Sequence, residues 1–145
     1  MLNNFPYQVM LTTFLGWFVA QTIKVVVGII REKRFNFKWF VGMGGMPSSH
    51  SASVAALTAS VAFHSGFDSD LFTTVLLFMI IVIGDAHGVR RATGQQAEIL
   101  NKMVDDIYFH REVTEDRLKE LWGHTPVEVF AGVAVGIVVA LISFL

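Results

Sequence analysis

The string Gly44-Gly45-Met46-Pro47-Ser48-Ser49-His50-Ser51 concentrates backbone freedom, hydroxyls and an imidazole in eight residues. Glycines let backbone amides approach a ligand closely. Proline suits a first helical turn, where its missing N–H has no intrahelical partner. The string therefore presents amides, two hydroxyls and an imidazole at a helix N-terminus, which is a ready anion site. An ordinary serine-capped helix start fits the same spacing equally well.

A second string, Trp122-Gly123-His124-Thr125-Pro126-Val127-Glu128, also falls where a helix begins. Thr125 and Glu128 match the capping box T-x-x-E, which needs no function. Alternatively, His124 and Glu128 form a pair one helical turn apart. A carboxylate fixing one imidazole nitrogen leaves the other free for nucleophilic attack on phosphorus. Both roles are compatible with one glutamate.

The third string, Gly84-Asp85-Ala86-His87-Gly88-Val89-Arg90-Arg91, carries an acid inside an apolar stretch and two arginines at its end. An ionisable residue within a membrane span is a functional candidate by default. Asp85 could pair with Lys24, orient an arginine or bind a cation. Arg90 and Arg91 match phosphate oxygens bidentately, or serve as positive anchors on the cytoplasmic side. Glu98 and Asp105 share a helical face and could hold a divalent metal, although such a face is more often simply solvated. Lys24 lies within the first apolar stretch, either snorkelling to the interface or pointing inward toward an anion.

The elements that must position these residues read as membrane helices. The chain has 145 residues, 53% hydrophobic and 16% charged, with mean hydropathy +0.55. A soluble domain of this length carries about 25% charged residues, so the composition argues against a water-soluble enzyme and against a disordered chain. A net charge of −1 gives no electrostatic basis for nucleic-acid binding, and the lack of cysteine excludes thiolate sites.

A membrane helix needs about 20 apolar residues to cross about 30 Å of hydrocarbon. Four segments qualify in the sequence: Tyr7 to Ile30, Ser48 to Phe63, Leu71 to Val89, and Pro126 to Leu145. The second is short and rich in Ala and Ser, which favours close helix packing over lipid contact. The predicted fold is one all-α domain over residues 1–145, with four transmembrane helices and a polar interfacial segment. Ten of the eleven Lys and Arg residues lie in the connections 31–47 and 90–123. Basic connections are retained in the cytoplasm, which predicts both termini outside.

Together these strings resemble the type-2 phosphatidic acid phosphatase and vanadium haloperoxidase superfamily, and more closely its small divergent bacterial and plant branch. Lys24 matches the lysine of the first motif, and Pro47-Ser48-Ser49-His50 matches the second. His124 with Glu128 matches the last histidine and the acid four residues on, with glutamate replacing aspartate. Arg31 has the first-motif spacing but is followed by Glu32 where the family has proline, so Lys33 or Arg34 is an alternative. The third-motif arginine position is Leu118 here, which leaves Arg90 or Arg91 to supply that charge.

The resemblance implies a membrane phosphatase acting on a phospholipid or polyprenyl phosphate, with no required cofactor and no expected metal. His124 would be the nucleophile, Glu128 its orienter and His50 the general acid and base. Lys24, Gly45, Ser48, Ser49 and Arg34, Arg90 or Arg91 would hold the phosphate. Asp85, Glu98 and Asp105 remain supporting residues or candidate metal ligands. Two alternatives stand beside this reading: a non-catalytic lipid-phosphate binder or carrier, and a metal-assisted enzyme. Four helices are few for a closed pocket, so a homodimer completing its wall is a further expectation.

Overall fold

The computed structural model describes residues 5–33, 45–86, 90–107 and 125–145. These residues form five helices: α1 (Phe5–Glu32), α2 (Ser49–Ser65), α3 (Asp70–Gly84), α4 (Arg90–Ile107) and α5 (Pro126–Phe144). The described chain has no strand, in line with the all-α expectation. Two helices contain stretches long and apolar enough to cross a membrane, Pro6–Ile30 and Pro126–Phe144. α3 is as apolar but has 15 residues. The expected third span to Val89 is therefore shorter as a regular helix, widening to a π-type turn at Asp85 and Ala86.

The bundle is built around α2, which contacts α1, α3 and α5. Its buried residues are all Ser, Ala, Thr or Val, so its side chains occupy little space and neighbouring backbones come close. Gly16 of α1 is one such contact: a Cβ added there would stand 2.8 Å from Ala56 Cβ. On α5, a Cβ at Gly132 would collide with the Ser48 carbonyl oxygen, and one at Gly136 with the Ala52 carbonyl oxygen. Gly132 and Gly136 thus form a small-xxx-small seam, the device by which membrane helices approach without a hydrophobic driving force between them.

These contacts also set helix directions. Gly16 faces Ala56 while Lys24 reaches Gly45, so α1 and α2 run antiparallel. α5 starts beside Ser48 and ends with the Phe144 ring 5.8 Å from that of Phe63, tilted by 38°, so it runs parallel to α2. At the far end, Gly66 has the positive φ of 86° that stops α2, and Ser69 caps α3 by accepting from the Phe72 N–H at 3.1 Å. The C-terminal part of α1 and the starts of α2 and α5 therefore lie at one end.

Large apolar side chains face outward. Phe14, Phe18 and Ile30 on α1, Leu77, Phe78 and Ile81 on α3, and Phe130 and Ile142 on α5 are all exposed, and α3 buries none of its residues. A soluble monomer rarely exposes apolar patches beyond a few hundred Å², whereas hydrocarbon would solvate this surface. α4 differs in kind. Ile99, Leu100, Met103 and Val104 form an exposed apolar stripe, while Glu98 and Lys102 pair at 2.8 Å on the opposite face. That two-sided pattern suits a helix lying along a membrane surface.

The packing yields a contrast between two glycines. Gly136→Val has no room at the α2 seam and should destabilise the bundle by about 1–3 kcal/mol. Gly84→Ala, with nothing within 4 Å of the new Cβ, should be neutral or slightly stabilising. Thermal unfolding of both variants in one detergent checks the difference.

Candidate functional site

The end of the bundle where α2 and α5 begin is assembled by caps. Ser48 is the N-cap of α2; its Oγ accepts from the Ser51 N–H at 3.3 Å and from the Ser51 hydroxyl at 3.0 Å. The helix starts at Ser49, so Pro47 precedes the cap instead of occupying the first helical turn. That corrects the expectation drawn from the sequence; the reason is that Ser48 supplies the capping oxygen itself. With Ser48 fully buried, its hydroxyl holds the helix start. Ser49 is also buried and His50 is exposed, with the Ser53 hydroxyl donating to the Ser49 carbonyl at 2.9 Å one turn below.

α5 begins with the capping box legible in the sequence. The Thr125 N–H donates to Glu128 Oε2 at 3.0 Å and the Glu128 N–H donates to Thr125 Oγ1 at 3.4 Å. Pro126 takes the first helical position, as suits a residue without an N–H. The two helix starts are tied directly, because the Ser48 N–H donates to the Glu128 carbonyl at 2.9 Å. This backbone bond was not visible in the sequence; it follows from the close approach at Gly132.

Lys24 enters this end from α1. It is 8% exposed, which resolves its placement in favour of the inward-pointing reading. Its aliphatic stem passes Gly45: a Cβ there would lie 3.4 Å from Lys24 Cγ and 3.5 Å from Cδ. Gly45 has φ +88°, a left-handed conformation that side-chain-bearing residues rarely adopt. The glycine thus serves both the turn and the lysine. Lys24 lies within Coulombic range of Glu128. Gln21, also buried, lies one turn before Lys24.

The structure therefore brings together Lys24, Gly45, Ser48, Ser49, His50 and Glu128 from three helices. Arg34 and His124 lie outside the described residues, and of Arg90, Arg91 and Asp105 only the helical backbone is described. Asp85 is the C-terminal cap of α3, its N–H donating to the Ile81 and Val82 carbonyls. Glu98 is paired with Lys102. Among the described residues, no group of three His, Asp or Glu is placed to hold a metal. What sequence reasoning missed is the Lys24–Glu128 relationship; both residues were conspicuous separately, but 104 positions separate them.

A bundle with an apolar exterior and one end where a buried cation, a glycine turn and two helix N-termini meet defines the class: an all-α, membrane-type helical bundle. The chain belongs to the Divergent PAP2 family, whose profile matches residues 5–139. It is similar to the uncharacterized membrane protein YuiD of Bacillus subtilis (strain 168), with 41% identity over 155 aligned positions covering 98% of this chain and 95% of that protein. No solved structure matches the chain.

The Lys24–Glu128 relationship makes a thermodynamic prediction. Residues within one electrostatic network couple by about 0.5–3 kcal/mol in a double-mutant cycle. Glu128→Gln should destabilise by leaving the buried Lys24 without its countercharge. Lys24→Met should cost little, because it also removes the penalty of burying a charge, and the double variant should lose less than the sum. Glutamine can keep the capping box, so the cycle isolates charge. Strict additivity in thermal unfolding would contradict the assignment.

Proposed function

We propose that the protein is a multi-pass membrane phosphatase that hydrolyses a lipid phosphate monoester or diphosphate through a phosphohistidine. The observation that carries the reading is the buried Lys24 lying against Gly45 at the starts of α2 and α5. An ionisable side chain buried in a membrane bundle is costly and is retained for function. A phosphoryl group at this end would meet a cation and a helix N-terminus together, and both favour an anion.

In this reading His124 attacks phosphorus while the bond to the lipid oxygen breaks, and His50 donates a proton to the departing oxygen. Water then attacks the phosphohistidine after giving a proton to His50, releasing phosphate and restoring His124. Lys24, Ser49, the Gly45 region and Arg34, Arg90 or Arg91 stabilise the equatorial oxygens, where charge develops. Glu128 orients His124.

Membership of the Divergent PAP2 family supports a phosphatase-related ancestry, and similarity to a membrane protein supports the setting. The alternating directions of α1, α2 and α3, with α5 parallel to α2, support four crossings. The one-sided distribution of Lys and Arg supports a cytoplasmic position for this end, where the phosphate of a membrane lipid would reside at matching depth.

Purified protein in detergent should release phosphate from members of a panel of lipid phosphates, with inhibition by vanadate. His124→Ala should lower the rate by several orders of magnitude, with substrate still bound. Binding without release across the panel would make the protein a lipid-phosphate binder instead. Orientation is checked separately by single cysteines in intact cells: Asp68→Cys should react with an impermeant thiol reagent and Lys38→Cys should not. The opposite pattern would overturn the cytoplasmic placement.

A further inference from the structure

A groove of about 500 Å³ lies between α1 and α2, lined by Pro6, Met10, Thr13 and Trp17 on one side and Ser53 and Leu57 on the other. Its two hydroxyls are occupied within their own helices: Thr13 Oγ1 donates to the Val9 carbonyl at 2.8 Å and Ser53 Oγ to the Ser49 carbonyl at 2.9 Å. The wall they leave is apolar. A largely apolar groove whose hydroxyl protons are already donated suits a hydrocarbon chain.

Its position relative to the polar end is what identifies the chain. Side chains three and four apart share a helix face. Met10, Thr13 and Trp17 continue on that spacing to Lys24, and Leu57 and Ser53 continue to Ser49 and His50. Both walls of the groove thus run along the stripes that bear the anion-binding candidates. A second cavity, of about 270 Å³ between α2, α3 and α5, is lined from α2 by Ala55, Ala59 and Ala62. These lie on the opposite side of α2, away from His50.

We infer that the α1–α2 groove is the tail subsite of the lipid whose phosphate is held at Lys24 and Ser49, an inference that rests on the proposed function. At 1.5 Å per residue, Trp17 lies about 10 Å and Pro6 about 27 Å along α1 from Lys24. One leaflet of hydrocarbon is about 15 Å deep, half of the about 30 Å core. A tail confined to one leaflet reaches only the upper part of the groove. The groove therefore selects a tail long enough to pass the bilayer mid-plane, with Thr13 and Leu57 as specificity-determining positions.

The test uses the full chain in phosphatidylcholine vesicles and phosphate-monoester lipids carrying a photoactivatable diazirine near the tail end. One probe has a tail about one leaflet deep and another about twice that depth; a third is the long-tailed alcohol without phosphate. The long phosphate probe should label residues 6–17 and 53–57, and unlabelled long-tailed phosphate lipid should compete. Thr13→Phe and Leu57→Trp should each cut that label by about tenfold, the equivalent of roughly two buried methylenes. The wild-type labelling map stands even if a variant fails to fold.

Equal, non-competed labelling by the alcohol would mean that bulk lipid fills the groove, and would overturn the inference. So would labelling of the α2–α3–α5 cavity instead, or crosslinks from the groove to a second copy of the chain. Competed groove labelling without phosphate release from any lipid would uphold the subsite and refute the catalytic step, so the two failures are distinguishable.

Discussion

Helices α1, α3 and α5 converge on α2 because α2 carries almost nothing beyond a Cβ or hydroxyl on its packed faces. In hydrocarbon, large side chains gain little by turning inward, since lipid is as apolar as a leucine core. Van der Waals contact between backbones and the hydrogen bonds that close approach permits become the main sources of specificity. The glycines at 16, 132 and 136 bring α1 and α5 to distances at which a single methyl group would collide with a carbonyl or a Cβ. The bond from the Ser48 N–H to the Glu128 carbonyl is a direct product of that approach.

The polar end inherits its geometry from this seam. Because Gly132 sits against Ser48, the capping box of α5 and the cap of α2 begin at the same level, and Glu128 comes within electrostatic range of Lys24. The two caps are structural features in themselves, as their chemistry predicts. Their juxtaposition turns two ordinary helix starts into a concentration of amide dipoles beside a buried cation. Ser48 illustrates the division of labour. Its hydroxyl is consumed in holding α2, accepting from the Ser51 N–H and hydroxyl.

The inverted distribution of side chains was legible from the sequence in outline. The second apolar segment, rich in Ala, Ser and Val between 48 and 63, reads as a packing helix, and it is the central one. The strongly apolar third segment reads as a membrane span, and α3 buries none of its residues. The capping box at Thr125 and Glu128 could be read directly because it is a local pattern, three residues long in its spacing. The start of α2 reads from the sequence either as a proline first turn or as a serine-capped start, and the structure has the second, with Ser48 as the cap; only the hydroxyl's acceptor geometry decides between them.

Local chemistry was thus settled by the chain itself: which stretches are apolar, where helices start, which side chains could bind an anion. Those properties depend on neighbours within about one helical turn, where spacing is known in advance. Lys24 is the counterexample. Snorkelling and inward-pointing lysines have the same local sequence, and the choice turns on whether another segment offers space and a countercharge. Gly45 offers the space and Glu128 the charge, one 21 and the other 104 residues away, and no periodicity links them. Only the folded arrangement of three helices around α2 could bring them together.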